Sequence, residues 1–124
     1  MKILVFGEFG IDEFVYGNCT RLNPEAPTPV FKPSEVKSNP GMAGNVVNNL
    51  QSLGIEYRTF TCPGAVETVA YSKFLIDKNQ FQSIIVIGAI IKGDTDHYEY
   101  VCQFVTQGIS QLSAQSPIPI IFGI

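Results

Sequence analysis

The chain has 124 residues, of which 45% are hydrophobic and 15% charged. This composition is typical of one compact globular unit with a buried core, and it excludes a disordered or fibrous protein. The formal net charge of −3 argues against nucleic-acid binding, because the phosphate backbone requires clustered Lys and Arg. No apolar run approaches the roughly 20 residues of a membrane span, so we expect neither a nucleic-acid nor a membrane partner.

The cysteine pattern indicates a reducing environment. Cys19, Cys62 and Cys102 are odd in number and far apart, which fits neither a disulfide framework nor a paired-cysteine metal site. The opening residues MKILVFGEFGIDEF lack the long apolar stretch and cleavage site of a signal peptide. We therefore expect a cytoplasmic protein that binds no metal.

The first predicted elements are a strand and a proline-rich excursion. Residues 2–7 form a short apolar run ending in glycine, which is typical of a parallel strand buried on both faces. Residues 17–40 contain five of the eight prolines, a density that excludes a helix and allows only extended or edge-strand segments. We expect this stretch to be an irregular surface excursion or a lid.

Helical periodicity then appears in GMAGNVVNNLQSLG, where Gly54 is the expected helix end. The segment IEYRTFT predicts a strand, which Pro63 and Gly64 end, and AVETVAYSKFLIDKNQ predicts a second helix. The expected buried stripe of the first helix is Ala43, Val46, Val47, Leu50 and Leu53, and that of the second is Val66, Val69, Ala70 and Phe74.

The last third of the chain predicts a strand, a helix and a strand. SIIVIGAII is a continuous β-branched run, and IPIIFGI is a final strand after two prolines. Between them, apolar residues follow the helical period at Tyr98, Val101, Cys102, Val105, Ile109 and Leu112.

This order predicts a three-layer α/β fold, with a mostly parallel sheet of about four strands between flanking helices. We expect one α/β domain over residues 1–124. Ligands of such sheets bind at the carboxyl ends of the strands. Residues 7–12, 63–67, 93–97 and 122–124 are expected at that edge.

The turn Lys92-Gly93-Asp94-Thr95-Asp96-His97 has two interpretations. In the first, the free N–H groups of the following helix bind a phosphate, and the only histidine of the chain, His97, transfers a proton. In the second, Asp94, Thr95 and Asp96 are ordinary N-cap and first-turn residues, with Thr95 or Asp94 as the cap, and His97 is a solvated surface residue. Spacing alone favours the second. A comparable turn carries Glu67, which either binds a polyol or simply complements the helix dipole.

Four segments in order resemble the lumazine synthase family: CPGAVET, IGAIIKGDTDHYEYV, QGISQLS and PIPIIFGI. The resemblance extends from about residue 57 to residue 124. It implies the condensation of 5-amino-6-ribitylaminouracil with 3,4-dihydroxybutanone 4-phosphate in riboflavin biosynthesis. It further implies that phosphate and water are lost, that no cofactor takes part, and that the protein is a homo-oligomer.

The same resemblance implies roles for individual residues. His97 becomes the proton-transfer residue, and Gly93, Asp94 and Thr95 line a phosphate site. Ala65 and Glu67 hold the ribityl chain, Ala89, Ile90 and Ile91 lie near the pyrimidine, and Phe122 reaches a neighbouring subunit's site. With the resemblance, the catalytic interpretation of His97 is favoured over the structural one.

The segments RLNPEAPTPV and GMAGNVVNNLQSLG resemble a ribokinase-type sugar kinase, closest to heptose phosphate kinases, over residues 2 to about 56. This resemblance implies a possible sugar site at Asp12, Gly41, Gly44 and Asn45. The nucleotide-binding and catalytic parts of that family have no counterpart here, so we expect no kinase activity.

Two hypotheses therefore compete for the function. In the first the protein is a lumazine synthase, impaired because the sequence has neither the family's amino-terminal aromatic nor its carboxy-terminal phosphate-binding arginine. Phe9 or Phe14 is the expected replacement for the aromatic. In the second the chain is an inactive natural or engineered chimera of two α/β families that at most binds a sugar or phosphate or self-associates.

Overall fold

The computed structural model describes residues 2–124, which form six strands and three helices. In chain order these are β1 (Lys2–Gly7), β2 (Phe9–Asn23), β3 (Ala26–Met42), α1 (Ala43–Ser52), β4 (Glu56–Thr61), α2 (Glu67–Asp77), β5 (Ser83–Ile87), α3 (His97–Gln115) and β6 (Ile120–Gly123).

Four of the strands form one sheet in the order β4-β1-β5-β6, and every pair in it is parallel. The alternation of β1 side chains separates two apolar clusters. Leu4 and Phe6 pack with α2 and α3 on one side, and Ile3 and Val5 pack with α1 on the other. The predicted three-layer α/β fold is therefore confirmed, and β1 is buried on both faces as a central parallel strand should be.

All three predicted helices are present, but not every residue expected on their buried faces is buried. Val105 and Ile109 of α3 are buried as predicted. Leu53, expected on the buried stripe of α1, is 72% exposed because the helix ends at Ser52. Gly54 follows with a φ of 66°, the left-handed conformation that ends many helices.

The buried face predicted for α2 is wrong except at Val69, which is partly buried and packs against the core. Thr68 and Ser72 are buried instead, while Val66, Ala70 and Phe74 point to solvent. A β-carbon on Gly108 of α3 would lie 2.7 Å from a methyl carbon of Val69. The two helices thus approach closely through small residues, and hydrophobicity alone does not reveal that face.

Strands β2 and β3 form a separate antiparallel two-stranded sheet, here called the ribbon (Phe9–Met42). The expectation of an irregular excursion over residues 17–40 is therefore wrong, although the expectation of extended backbone is confirmed. The prolines are tolerated because a two-stranded sheet consists of edge strands only. At the tip, the Asn23 side-chain oxygen accepts a 3.0 Å hydrogen bond from the Glu25 N–H and closes the turn.

The ends of β1, β4 and β5 meet at Gly7. The Gly7 carbonyl accepts a 2.9 Å hydrogen bond from the Cys62 N–H, and the Ile87 carbonyl accepts a 3.0 Å bond from the Glu8 N–H. Gly7 has a φ of 134°, and a β-carbon there would lie 1.7 Å from the Ile87 oxygen. Only glycine allows the three strands to end side by side in this way.

We expect Gly7→Ala to lower the free energy of unfolding by at least about 3 kcal/mol, because it adds a backbone clash to an unfavourable φ. Gly54→Ala is the control, since its φ is positive but no atom lies within 4 Å. It should cost only about 1–2 kcal/mol. Urea unfolding measures both, and equal losses would contradict the clash at Ile87.

Candidate active site

A cavity of about 330 Å³ lies at the carboxyl edge of the sheet. It is bounded by the residue after β1, the turn before α2, the segment after β5 and the first turns of α3. Six residues expected at the site from the sequence line it: Ala65, Glu67, Ala89, Ile90, Ile91 and His97. The structure therefore brings together side chains that are up to 32 positions apart, from 65 to 97.

The turn before α2 places Glu67 on one wall of this cavity. A β-carbon on Gly64 would lie 2.9 Å from a Glu67 carboxylate oxygen, so the carboxylate lies directly against the glycine. The Cys62 thiol donates a 3.4 Å hydrogen bond to the Gly64 carbonyl below it. Burial raises the pKa of the Cys62 thiol, and the negative charges of Glu67 and Glu8 raise it further. The thiol is therefore neutral near pH 7.

His97 begins α3 on the opposite wall, and its Nδ1 is hydrogen-bonded to the Thr95 hydroxyl. Because Nδ1 is occupied, Nε2 is the ring nitrogen left for a ligand. The expectation of Asp96 at the start of this helix is confirmed, whereas that of a cap by Thr95 or Asp94 is wrong. The N-cap residue is Asp96, and no side chain within residues 2–124 makes a capping hydrogen bond to the first turn of α3. The Glu99 N–H donates a 3.2 Å hydrogen bond to the Asp96 carbonyl, which leaves the N–H groups of His97 and Tyr98 in this first turn for a ligand.

The remaining residues of the predicted site lie apart from the cavity lining. Gly93, Asp94 and Thr95 are in the exposed segment just before α3, and Thr95 reaches the site through its bond to His97. Phe122 lies on β6 in a different cavity of about 410 Å³, which is lined mainly by α3. Within one chain, Phe122 does not meet His97.

The sequence did not single out Glu8, which lines the cavity directly after β1. Glu8 could have been predicted from its position directly after a strand, because residues 7–12 are expected at this edge of the sheet. The proposed aromatic replacements are wrong: Phe9 lines another cavity beside α1, and Phe14 lies in the ribbon. The other lining residues that sequence reasoning missed are Gly64, Val66, Tyr98 and Val101.

The possible sugar site is only partly assembled. A β-carbon on Gly41 would lie 2.3 Å from an Asp12 carboxylate oxygen, so these two are in contact. Gly44 lies instead beside Pro40 and Phe9, in a cavity of about 300 Å³. Asn45 is exposed on α1. Of the four residues, Gly44 alone lines this cavity.

A larger cavity, of about 480 Å³, lies between the carboxyl ends of α2 and α3, away from His97. Its charged groups, Lys73 and Asp77, form an ion pair with each other, so it presents no unpaired charge for a ligand. Across residues 2–124, His, Cys, Asp and Glu form no cluster that could hold a metal ion. In the same part of the chain, no helix is long and apolar enough to cross a membrane.

Fold and cavity together define an α/β protein with a site at the carboxyl ends of its parallel strands, where two carboxylates and one histidine line the same cavity. A sequence profile described as 6,7-dimethyl-8-ribityllumazine synthase matches residues 38–124. The match covers more than half of the chain, and the chain therefore belongs to the 6,7-dimethyl-8-ribityllumazine synthase family.

Individual relatives agree with this membership. A 6,7-dimethyl-8-ribityllumazine synthase of Coxiella burnetii is 38% identical over 86 residues, which are 67% of this chain and 57% of that protein. Its counterpart in Bacteroides fragilis is 44% identical over 64 residues, covering 52% of this chain and 45% of that protein. The counterpart in Limosilactobacillus reuteri is 47% identical over 62 residues, covering 50% and 41%. The chain thus spans about half the length of the curated relatives it matches.

The family match changes how the chain divides. It begins at residue 38, whereas the sequence placed the start of the lumazine-synthase-like part at about 57. The helix α1, which was assigned to a sugar-kinase-like segment, falls inside the matched range. These findings give no support to a kinase part over residues 2 to about 56, nor to a chimera of two families.

We expect Glu8→Gln and Glu67→Gln each to lower the pKa of the Cys62 thiol, because each removes a negative charge that disfavours the thiolate. The ultraviolet absorbance of the thiolate, followed against pH in a background with Cys19 and Cys102 replaced by Ser, measures this pKa. Glu99→Gln, in the first turn of α3 but not among the causes of the shift, is the control. An unchanged pKa in both variants would contradict the placement of the two carboxylates.

Proposed function

We propose that the protein condenses 5-amino-6-ribitylaminouracil with 3,4-dihydroxybutanone 4-phosphate, in riboflavin biosynthesis. The supporting observation is the cavity in which Ala65, Glu67, Ala89 and His97 meet. These are the residues to which the family resemblance gives ribityl, pyrimidine and proton-transfer roles. The name of the matched family supports the same reaction.

The arrangement suits a polyol beside a proton donor. Glu67 offers carboxylate oxygens that accept hydrogen bonds from ribityl hydroxyls, and its contact with Gly64 keeps it on the wall. Ile90 and Val101 supply an apolar surface for the flat pyrimidine ring. The site therefore combines apolar walls with a few polar groups, as small-molecule sites usually do.

His97 is the group that we assign to proton transfer. Loss of water and of phosphate both require protons to reach leaving oxygens, and imidazole is suited to that step near neutral pH. When the Thr95 hydroxyl donates to Nδ1, the ring proton is on Nε2 and can be given to a leaving oxygen. Thr95 is therefore a positioning residue in this proposal.

The phosphate is the ligand group that the cavity favours least. Two carboxylates, Glu8 and Glu67, line it, and within residues 2–124 no Lys or Arg does so. The uncapped first turn of α3, next to Gly93 and Asp94, is the place we propose for the phosphate, because N–H groups there carry positive partial charge.

Two further features belong to this proposal. Phe122 lies in a cavity away from His97, so it serves a site only in a neighbouring subunit of a homo-oligomer. The segments before and after residue 57 are proposed to fold as one unit, because β1 pairs with both β4 and β5. The three free thiols are consistent with a reducing cytoplasm.

We expect His97→Ala to slow the condensation by about a hundredfold or more, the usual contribution of a general acid or base. Lumazine fluorescence follows the reaction with both substrates present. Gln103→Ala, at an exposed position of α3, is the matched control and should leave the rate unchanged.

Two results would contradict the proposal in different ways. A wild-type rate equal to the spontaneous condensation would favour the inactive alternative. If the protein catalyses the condensation but His97→Ala does not slow it, the proposed reaction stands and the proposed role of His97 is wrong.

A further inference from the structure

We propose that one face of the ribbon docks against the same face of a second copy of this chain, as a two-fold symmetric pair. Residues 9–37 of the ribbon precede the family match, so the proposed reaction does not account for them. The observation behind this proposal is that the pairing of β2 with β3 places a row of apolar side chains on one exposed face of the ribbon.

The pairing register determines which side chains share a face, because directly opposed residues of antiparallel strands lie on the same side. Ile11 is opposite Pro40, and Val15 is opposite Val36. Beyond the bulge at Gly17, the pattern continues with Cys19 opposite Phe31. The pairs on this apolar face are Phe9/Met42, Ile11/Pro40, Glu13/Ser38, Val15/Val36, Gly17/Pro33, Cys19/Phe31 and Leu22/Pro29.

The apolar face is largely open to solvent. Ile11 is 77% exposed and Leu22 is 65% exposed, and Val15, Val36 and Phe31 are also exposed. Its base lies against α1, where Pro40 and Phe9 are beside Gly44, although Phe9 is still 41% exposed. A contiguous exposed apolar surface of this kind typically marks an interaction site.

The opposite face of the ribbon is different in character. Lys37 forms a 3.2 Å ion pair with Glu35 and lies 5.4 Å from the ring centroid of Tyr16. Asp12 and Asn39 are opposed on the same side. This face therefore carries charged residues, some of them paired with each other, which the apolar face has only at Glu13.

Several observations favour a second copy as the occupant. An isolated two-stranded sheet is marginally stable and needs another layer against its apolar side. Two such faces packed together form a small sandwich, and a two-fold axis makes each face complementary to its copy. The only ionisable carboxylate or cation on the apolar face is Glu13. Without Lys or Arg, this face lacks the charges that attract an anionic membrane surface.

The size of the face is adequate for a weak pair. Strand β2 has 15 residues, and at about 3.4 Å each they make a face about 50 Å long and, for two strands, about 10 Å wide. The resulting footprint of roughly 500 Å² per copy is near the lower end of specific interfaces. We therefore expect association at micromolar concentration.

Cys19 provides a direct test, because this exposed thiol lies on the apolar face while Cys62 is buried. The alkylation rate of Cys19, read by mass spectrometry of peptides, should fall as the concentration of the full chain rises. Ile11→Glu should remove this protection and weaken association at least about tenfold by light scattering. Leu22→Glu, near the tip of the same face, should do the same.

Phe14→Glu is the matched control, since it introduces the same charge on the same strand but on the opposite face. It should leave both readouts within about twofold of wild type. Circular dichroism establishes that each variant is folded before it is compared. Cys19 reports contact at the ribbon itself, so association through the body of the protein does not imitate the result.

Three results would overturn the proposal. One is an alkylation rate of Cys19 that is independent of concentration. Another is an equal effect of Phe14→Glu and Ile11→Glu. The third is capture of the wild-type protein by phosphatidylcholine vesicles with release by Ile11→Glu, which would make lipid the occupant. None of them depends on whether the protein has lumazine synthase activity.

Discussion

The side-by-side ending of three parallel strands at Gly7 is the constraint on which the rest of the structure depends. Because a glycine at this point brings β1 within backbone contact of β5, the residue after it, Glu8, enters the cavity. The Gly7 carbonyl accepts the Cys62 N–H and so holds the turn at Cys62, and with it Gly64 and Glu67, against the end of β1. The two carboxylates line the same cavity as His97 as a consequence of strand packing.

Much of this arrangement follows from sequence pattern. The continuous apolar run of β1 and the helical period of α3 are strong signals, because each element is buried along a regular repeat. The position of His97 at a strand-end turn follows from the alternation of strands and helices. The face of α2 could not be predicted in this way. Thr68 can be buried because its hydroxyl bonds to the Ala65 carbonyl, a local contact that hydrophobicity does not encode.

The ribbon illustrates a different limit of sequence reasoning. Its prolines correctly indicated extended backbone, but the pairing of Phe9–Asn23 with Ala26–Met42 is a long-range property with three register shifts. Only the register shows that Ile11, Val36 and Phe31 share one face. The cavity with His97 lies at the sheet edge, mostly within the range of the family match, whereas most of the apolar face of the ribbon precedes that match.

We propose that the cavity at the strand ends binds the ribityl-pyrimidine. An amide-resolved NMR titration with 5-amino-6-ribitylaminouracil shows where this compound binds, because each lining segment reports independently. We predict shifts at Ala65, Glu67, Ala89 and His97, with none at Lys73 or Asn79 around the larger cavity. Shifts confined to that larger cavity, or to the base of the ribbon, would contradict it.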